Sequence, residues 1–319
     1  MKNKTSGLHH ITAIAGEPQW NYDFYTGVLG LRMVKKTVNF DDPNTYHLYY
    51  ADEVGTPGTV LTFFPWPGVK PGKNGAGMAT KIGYSVPKDS LDFWQARFEQ
   101  KDIPHELSRE RFGEKRLTFQ DPDGLWLTLY ETSHIDARKG WQTLEISSEN
   151  AIKGFHSVTL TLSSIQQTTD ILTSIFGYRP VDQDGNTYRF QSDAVNHAAI
   201  VDLVEDPGAD RGINAGGTIH HVAFRVKDEE AQMELSKKIR AKGLYITEKI
   251  NRNYFYSVYF REPGGILFEI ATENPGFLID ESVENLGNTL QLPDQYEPYR
   301  KRIEKRLPEL KVSKNIYAP

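Results

Sequence analysis

The chain predicts an α+β fold built from four βαβββ units, two to a domain. Three observations carry this. At 319 residues it has the length for two compact cores. It is self-similar, with one strand–helix segment occurring twice and a second, different segment also occurring twice. Period-2 apolar runs bounded by Gly, Pro and Asp turns supply several strands for every helix.

The first unit opens at His10, where HITAIAGEPQWNYDFYTGVLGLRMV reads as an alternating strand and then a helix. Tyr22, Tyr25 and Leu29 lie on the helix's apolar side, and Gly30 stops it before LRMV. PWPGVKPGKNGAG, near residue 70, is an exposed connection by its Pro and Gly content. The second unit, KIGYSVPKDSLDFWQARFEQKDIP from Lys81, carries a helix with Leu91, Trp94 and Phe98 at 3.6-type spacing. It closes on a turn and strand, DPDGLWLTLYE. SHIDARKGWQTLEISSENAIKG has no sustained period and reads as a linker. HSVTLTLSSIQQTTDILTSIFGYRPV from His156 then repeats the first unit, with Gly177 and Arg179 in the places of Gly30 and Arg32. HVAFRVKDEEAQMELSKKIRAKGL from His221 repeats the second, and EPGGILFEIATE repeats its closing strand.

The units fall at roughly 8–65, 78–132, 154–203 and 218–273. Residues 1–135 and 154–275 are the expected domains, 136–153 the linker and 276–319 a polar tail whose YEPYRKRIEKRLPELK stretch carries one short helix. A net charge of −5 provides no broad basic surface for nucleic acid. MKNKTSGLHH lacks the apolar core of a signal peptide, and no apolar run approaches the roughly 20 residues of a membrane span. With no cysteine, the expectation is a soluble cytoplasmic protein that binds neither nucleic acid nor membrane.

The absence of cysteine also removes thiolates from any metal site, leaving nine histidines and the carboxylates. His9-His10 and His220-His221 each open a strand, and Glu269 sits inside an apolar one, where an unpaired carboxylate is costly. One imidazole from each doublet with Glu269 makes a 2-His-1-carboxylate set, the ligands of non-haem Fe(II) oxygenases. Aligning the units places Lys81 opposite His221 and Thr128 opposite Glu269, so the second unit has lost both ligand types. First-strand positions in the other two units supply His10 and His156 as candidates. Alternation admits one member of each doublet to a shared face without saying which.

GLHHITAI, YHLYYADEVGTPGTVLTFFPWPG, IHHVAFRV, NRNYFYSVYFREPGGILFEIAT and LPDQYEP together resemble the ring-cleaving dioxygenases of the vicinal oxygen chelate superfamily. The chain resembles in particular the hydroquinone dioxygenases and the ring-cleaving enzymes of quinone-stress operons in bacilli. The resemblance spans nearly the whole chain and implies two vicinal oxygen chelate domains with cupped, mostly antiparallel sheets. It implies iron held by His10, His221 and Glu269, which joins unit one to unit four and leaves His156 as the alternative to His10. It further implies Thr12, His220, Arg252 and Tyr259 as residues around the reacting groups, with His9 a weaker candidate. Tyr254, Phe255 and Tyr256 are read as pocket wall or core.

The expected cofactor is therefore Fe(II), with Mn(II) as the alternative. The expected partners are a small aromatic diol and O2, and homo-oligomers are expected because many members associate. A glyoxalase-type isomerase or lyase needs a fourth ligand, a carboxylate at the end of the first unit, where TVLTFF has none. A metal-free binding protein for an aromatic compound would have no need of His10, His221 and Glu269 together.

Overall fold

A computed structural model describes residues 4–132 and 136–312, apart from the side chains of 109 and 110. Unit one comprises β1 (Leu8–Ala15), α1 (Pro18–Tyr22), β2 (Arg32–Asn39), β3 (Asp42–Ala51) and β4 (Val60–Pro65). Unit two comprises β5 (Met78–Val86), α2 (Leu91–Gln100), β6 (His105–Arg111), β7 (Glu114–Gln120) and β8 (Trp126–Glu131). Unit three comprises β9 (Gly154–Leu162), α3 (Gln166–Asp170), β10 (Tyr178–Asp184), β11 (Thr187–Ser192) and β12 (Ile200–Glu205). Unit four comprises β13 (Thr218–Val226), α4 (Glu229–Ala241), β14 (Ile250–Asn251), β15 (Phe255–Arg261) and β16 (Leu267–Pro275). All four βαβββ units are present.

Local chemistry accounts for the helices. Asp228 caps α4 by accepting the Ala231 N–H at 3.0 Å, with Glu229 and Glu230 in the first turn and Lys238 and Arg240 in the last, a charge order that favours the helix dipole. α1 and α3 both widen into π-helical turns, Asp23–Val28 and Ile171–Phe176, a shared irregularity that fits their being copies. Gly177 ends its turn at φ +83° and Gly30 follows the other at φ +67°, a left-handed geometry that favours glycine. Tyr22, Tyr25 and Leu29 are buried as expected, as are Leu91, Trp94 and Phe98.

The strands form two curled eight-stranded sheets, ordered β14-β15-β16-β13-β1-β4-β3-β2 and β10-β11-β12-β9-β5-β8-β7-β6. Each sheet takes one unit from each half of the chain, pairing unit one with unit four and unit two with unit three. The first and last strands of each unit run parallel (β1 with β4, β13 with β16, β5 with β8, β9 with β12), because the helix and the antiparallel strands after it bring the chain back in the same direction. Every other neighbour is antiparallel, including the central joins of β1 with β13 and β5 with β9, which bury what would be open sheet edges. Leu8, Ile11 and Ala13 of β1 enter the core with Tyr22, Tyr25 and Leu29, while Thr12 lies on the opposite, concave face.

Register corrects one sequence alignment. Leu8 faces Phe224 and His10 faces Ala223, just as Phe155 faces Tyr84 and Ser157 faces Gly83. His156 therefore corresponds to His9, and Ser157 occupies the position of His10. The one-residue slip is hidden in the sequence because each strand carries a bulge at its first histidine.

Residues 136–153 form neither helix nor strand, yet Ile146, Ala151 and Ile152 are buried and the Asn150 carbonyl accepts the Trp94 indole N–H at 2.9 Å. The connection near residue 70 is tied down by bridges from Pro71, Lys73 and Ala76 to Gly216, Ile213 and Arg211. The tail wraps unit one. Asp280 and Glu281 each reach the wholly buried Lys35 ammonium at 2.5 Å, and α5 (Arg300–Arg306) buries Ile303. No helix among the described residues is long and apolar enough to cross a membrane.

Candidate metal centre

Three neighbouring strands of the first sheet bring His10 (β1), His221 (β13) and Glu269 (β16) to one point, with one ligand atom from each lying within 4.8 Å of the others. Glu269 Oε2 is 3.2 Å from His10 Nε2 and 2.9 Å from His221 Nε2. Glu269 is fully buried and the two imidazoles nearly so. The approaches are short but poorly directed, and among the described residues neither His221 Nε2 nor Glu269 Oε2 gains a properly aligned hydrogen bond. Buried polar atoms are rarely left so, and convergence of three lone-pair atoms on one point fits a cation. Burial pushes the Glu269 carboxyl up, but His10 and then His221 outweigh it and hold the pKa well below the ordinary range.

The surrounding hydrogen bonds fix which atoms face that point. Ser257 donates its hydroxyl to Glu269 Oε1, leaving Oε2 for the centre. His9 Nε2 lies 3.1 Å from the Thr272 carbonyl, which can only accept, so that nitrogen carries a proton. Burial, and then His10, lower the His9 pKa and keep it neutral, so His9 Nδ1 accepts from His10 Nδ1 at 2.9 Å. With that proton on Nδ1, a neutral His10 presents Nε2 to the centre, as a metal ligand requires. In the other doublet His220 Nδ1 is 2.8 Å from His221 Nδ1. Burial, and then His221, depress the His220 pKa to about 3. A bare His221 Nε2 puts the shared proton on His221 Nδ1 and the His220 proton on Nε2.

A cavity of about 250 Å³ opens onto His10 and His221, walled by Phe64, Trp66, Phe255, Tyr259, His220 and Arg252, with Glu269 buried behind them. An apolar protein cavity of about 150 Å³ accepts benzene, so one substituted ring fits this space. Arg252 donates Nε–H to the Tyr259 hydroxyl at 3.3 Å and holds Asp41 at the same distance. Burial, and then Glu269, push the Tyr259 pKa up, so its proton stays on and is free to be donated.

Thr12 is fully buried and absent from the cavity wall. It bonds Thr62 at 2.8 Å, Thr62 bonds His47 Nε2 at 2.8 Å, and His47 Nδ1 bonds the Tyr49 hydroxyl at 2.8 Å. His47 and Tyr49 do line the cavity, so a chain of four groups that each donate and accept joins Thr12 to it. His156 lies in the other sheet, 2.9 Å from Glu114 and stacked on Tyr130, apart from the cluster. Tyr254 packs on Phe277 in the core, Phe255 lies 4.8 Å from the His10 ring, and Tyr256 sits beneath Lys249.

The sequence model of the Glyoxalase/Bleomycin resistance protein/Dioxygenase superfamily matches residues 7–129 and 154–270. The chain belongs to that superfamily. Within it, a relative from Bacillus subtilis named "Putative ring-cleaving dioxygenase MhqO" is 47% identical over 307 residues, 96% of this chain and 97% of its own. The chlorohydroquinone/hydroquinone 1,2-dioxygenase of Sphingobium indicum is 34% identical over 93% of this chain and 94% of its own. A crystal structure of a "putative dioxygenase" from Bacillus subtilis superposes with a TM-score of 0.92 at 45% identity, covering 98% of this chain and 99% of that one.

Four contributors to this superfamily member's site escaped the sequence reading: Ser257, His47, Tyr49 and Thr62. A weak signal existed for three of them. His47 and Tyr49 are two apart on β3, and Ser257 is two before Tyr259 on β15, so each pair shares a face. Nothing in the sequence marked Thr62.

Proposed function

We propose that the chain is an Fe(II)-dependent dioxygenase that cleaves the ring of a hydroquinone or catechol, in the degradation or detoxification of quinone-type aromatics. One observation carries the reading: among the described residues three ligand groups, His10, His221 and Glu269, meet beneath an aromatic-walled cavity the size of one substituted ring. Kinship with the hydroquinone 1,2-dioxygenase of Sphingobium indicum supports the substrate class. Fe(II) held by such a triad couples the oxidation of an electron-rich dihydroxyarene to the reduction of O2.

The protein's own groups have separable tasks in this reading. His9 and Ser257 hold His10 and Glu269 in the ligating state. Arg252, a permanent cation, orients a substrate oxygen anion, and Tyr259 donates its free proton to an oxygen beside it. His220 presents Nε2–H to the cavity, and the chain from Tyr49 to Thr12 supplies a route by which a proton leaves the ring oxygen. The cysteine-free sequence suits the cytoplasm.

Anaerobic reconstitution with Fe(II), followed by oxygen uptake on a panel of hydroquinones and catechols, tests the proposal. One O2 should be consumed per ring, with loss of the aromatic absorbance, and peroxide should abolish activity until ascorbate restores it. Equal turnover with Zn(II) and no oxygen would assign an isomerase or lyase instead.

A further inference from the structure

The second sheet retains the geometry of the first without its ligands. Lys81 faces Thr159 as His221 faces Thr12, Thr128 flanks Gly83 as Glu269 flanks Ala223, and Ser157 stands for His10. The duplicated centre has thus exchanged two imidazoles and a carboxylate for two hydroxyls and an ammonium. One end of this second cup carries an ionic network. Arg189 binds Asp202 at 2.8 Å and Glu114 at 2.6 Å, and Glu114 also meets His156. The other end is open, a cavity of about 450 Å³ around Lys81.

That ammonium has no counter-charge in contact. Among the described residues no carboxylate comes within ion-pair distance of Lys81 Nζ, and burial, then Arg116 and Arg111, depress its pKa against the pull of Glu106 alone. Glu106 and Asp206 line the cavity but are exposed. Arg116 spends its Nε–H on Ser108 at 2.8 Å, and among the described residues its two terminal nitrogens find no hydrogen-bond partner. Trp126, 39% exposed, lines the same cavity with its ring centroid 5.8 Å from Lys81 Nζ.

A half-buried ammonium beside a second cation is costly until an anion joins it, and Arg with Lys makes a fork for a carboxylate. The indole face offers apolar surface to a flat body. Two exposed acids on the rim favour a singly charged guest over a dianion. We propose that this second cup binds a small aromatic carboxylate, its carboxylate on Lys81 and Arg116 and its ring against Trp126.

The test is 19F NMR of the full-length iron-loaded protein carrying 5-fluorotryptophan at its five Trp positions, with the Trp126 resonance assigned by Trp126→Phe. Titration with benzoate should shift that resonance saturably. Lys81→Met and Arg116→Gln should each raise the midpoint about tenfold or more, Lys81→Arg should change it little, and iron content should stay at the wild-type level in all three. Inorganic phosphate should require a higher concentration than benzoate. The proposal is overturned by an unmoved Trp126 resonance or by a shift confined to Trp66 of the first cavity. It is equally overturned by unchanged midpoints in folded Lys81→Met and Arg116→Gln, or by phosphate saturating before benzoate.

Discussion

Replacing single side chains separates the groups that would hold iron from those that would act on substrate. His10→Ala, His221→Ala and Glu269→Ala should each lose stoichiometric iron by metal analysis, while His156→Ala keeps it. Loss of iron from His156→Ala with retention by His10→Ala would refute the proposed ligand set. Arg252→Ala should keep its iron and lower turnover roughly ten- to hundredfold, the kinetic equivalent of one charge-assisted hydrogen bond of about 1.5–3 kcal/mol. The histidine doublets and Glu269 were legible in the sequence because imidazoles and a carboxylate stand out in apolar strands. Which histidine of each pair faces the centre was not, because a bulge at the first one breaks the alternation that would decide it. Ser257 and Thr62 were silent because hydroxyls are common in strands and gain meaning only from what lies across the sheet.

Among the elements, the hairpin of β6 and β7 is pinned to β11 through Glu114 and Arg189. Burial pushes the Glu114 carboxyl up, but His156 and Arg189 prevail and bring its pKa from 4.5 to about 2. The unfolded chain therefore binds the proton more readily in this range. The stabilisation is complete above about pH 4.5, is lost as the pH falls toward 2, and amounts to at most about 3 kcal/mol. Urea midpoints measured from pH 5 to pH 2.5 should fall less steeply for Glu114→Gln than for wild type, and parallel slopes would count against this account. Strands and helices were largely legible at this scale, since periodicity and turn residues report local burial. The π-helical widening after α1 and α3 was not, because six residues make little more than one turn, too short a stretch for a changed period to show.

In the molecule as a whole, chain order and spatial order disagree. Residues 1–135 carry β1 and β5, each of which has its antiparallel central partner in the other half. Expressed alone, 1–150 should expose two unpaired sheet edges, aggregate on gel filtration and hold no iron. Co-expression with 151–319 should recover a one-to-one complex that binds iron. A monomeric, well-folded 1–150 would contradict this reading. The four units were legible from internal repetition, but their exchange between sheets was not. Repetition shows that segments are alike and is silent on which will lie together, so only the family resemblance pointed to the pairing of unit one with unit four.

The three proposed ligands stand at positions 10, 221 and 269, and their order along the chain bears on synthesis. A ribosome makes His10 long before Glu269, so no translation product that stops short of β16 can assemble the set. Iron capture would thus report that synthesis has passed Glu269. Because an ion bound only by the folded state stabilises it by mass action, a starved cell would hold this protein with its first and last strands less firmly joined. Metal supply would then influence how long each copy survives as well as how fast it works.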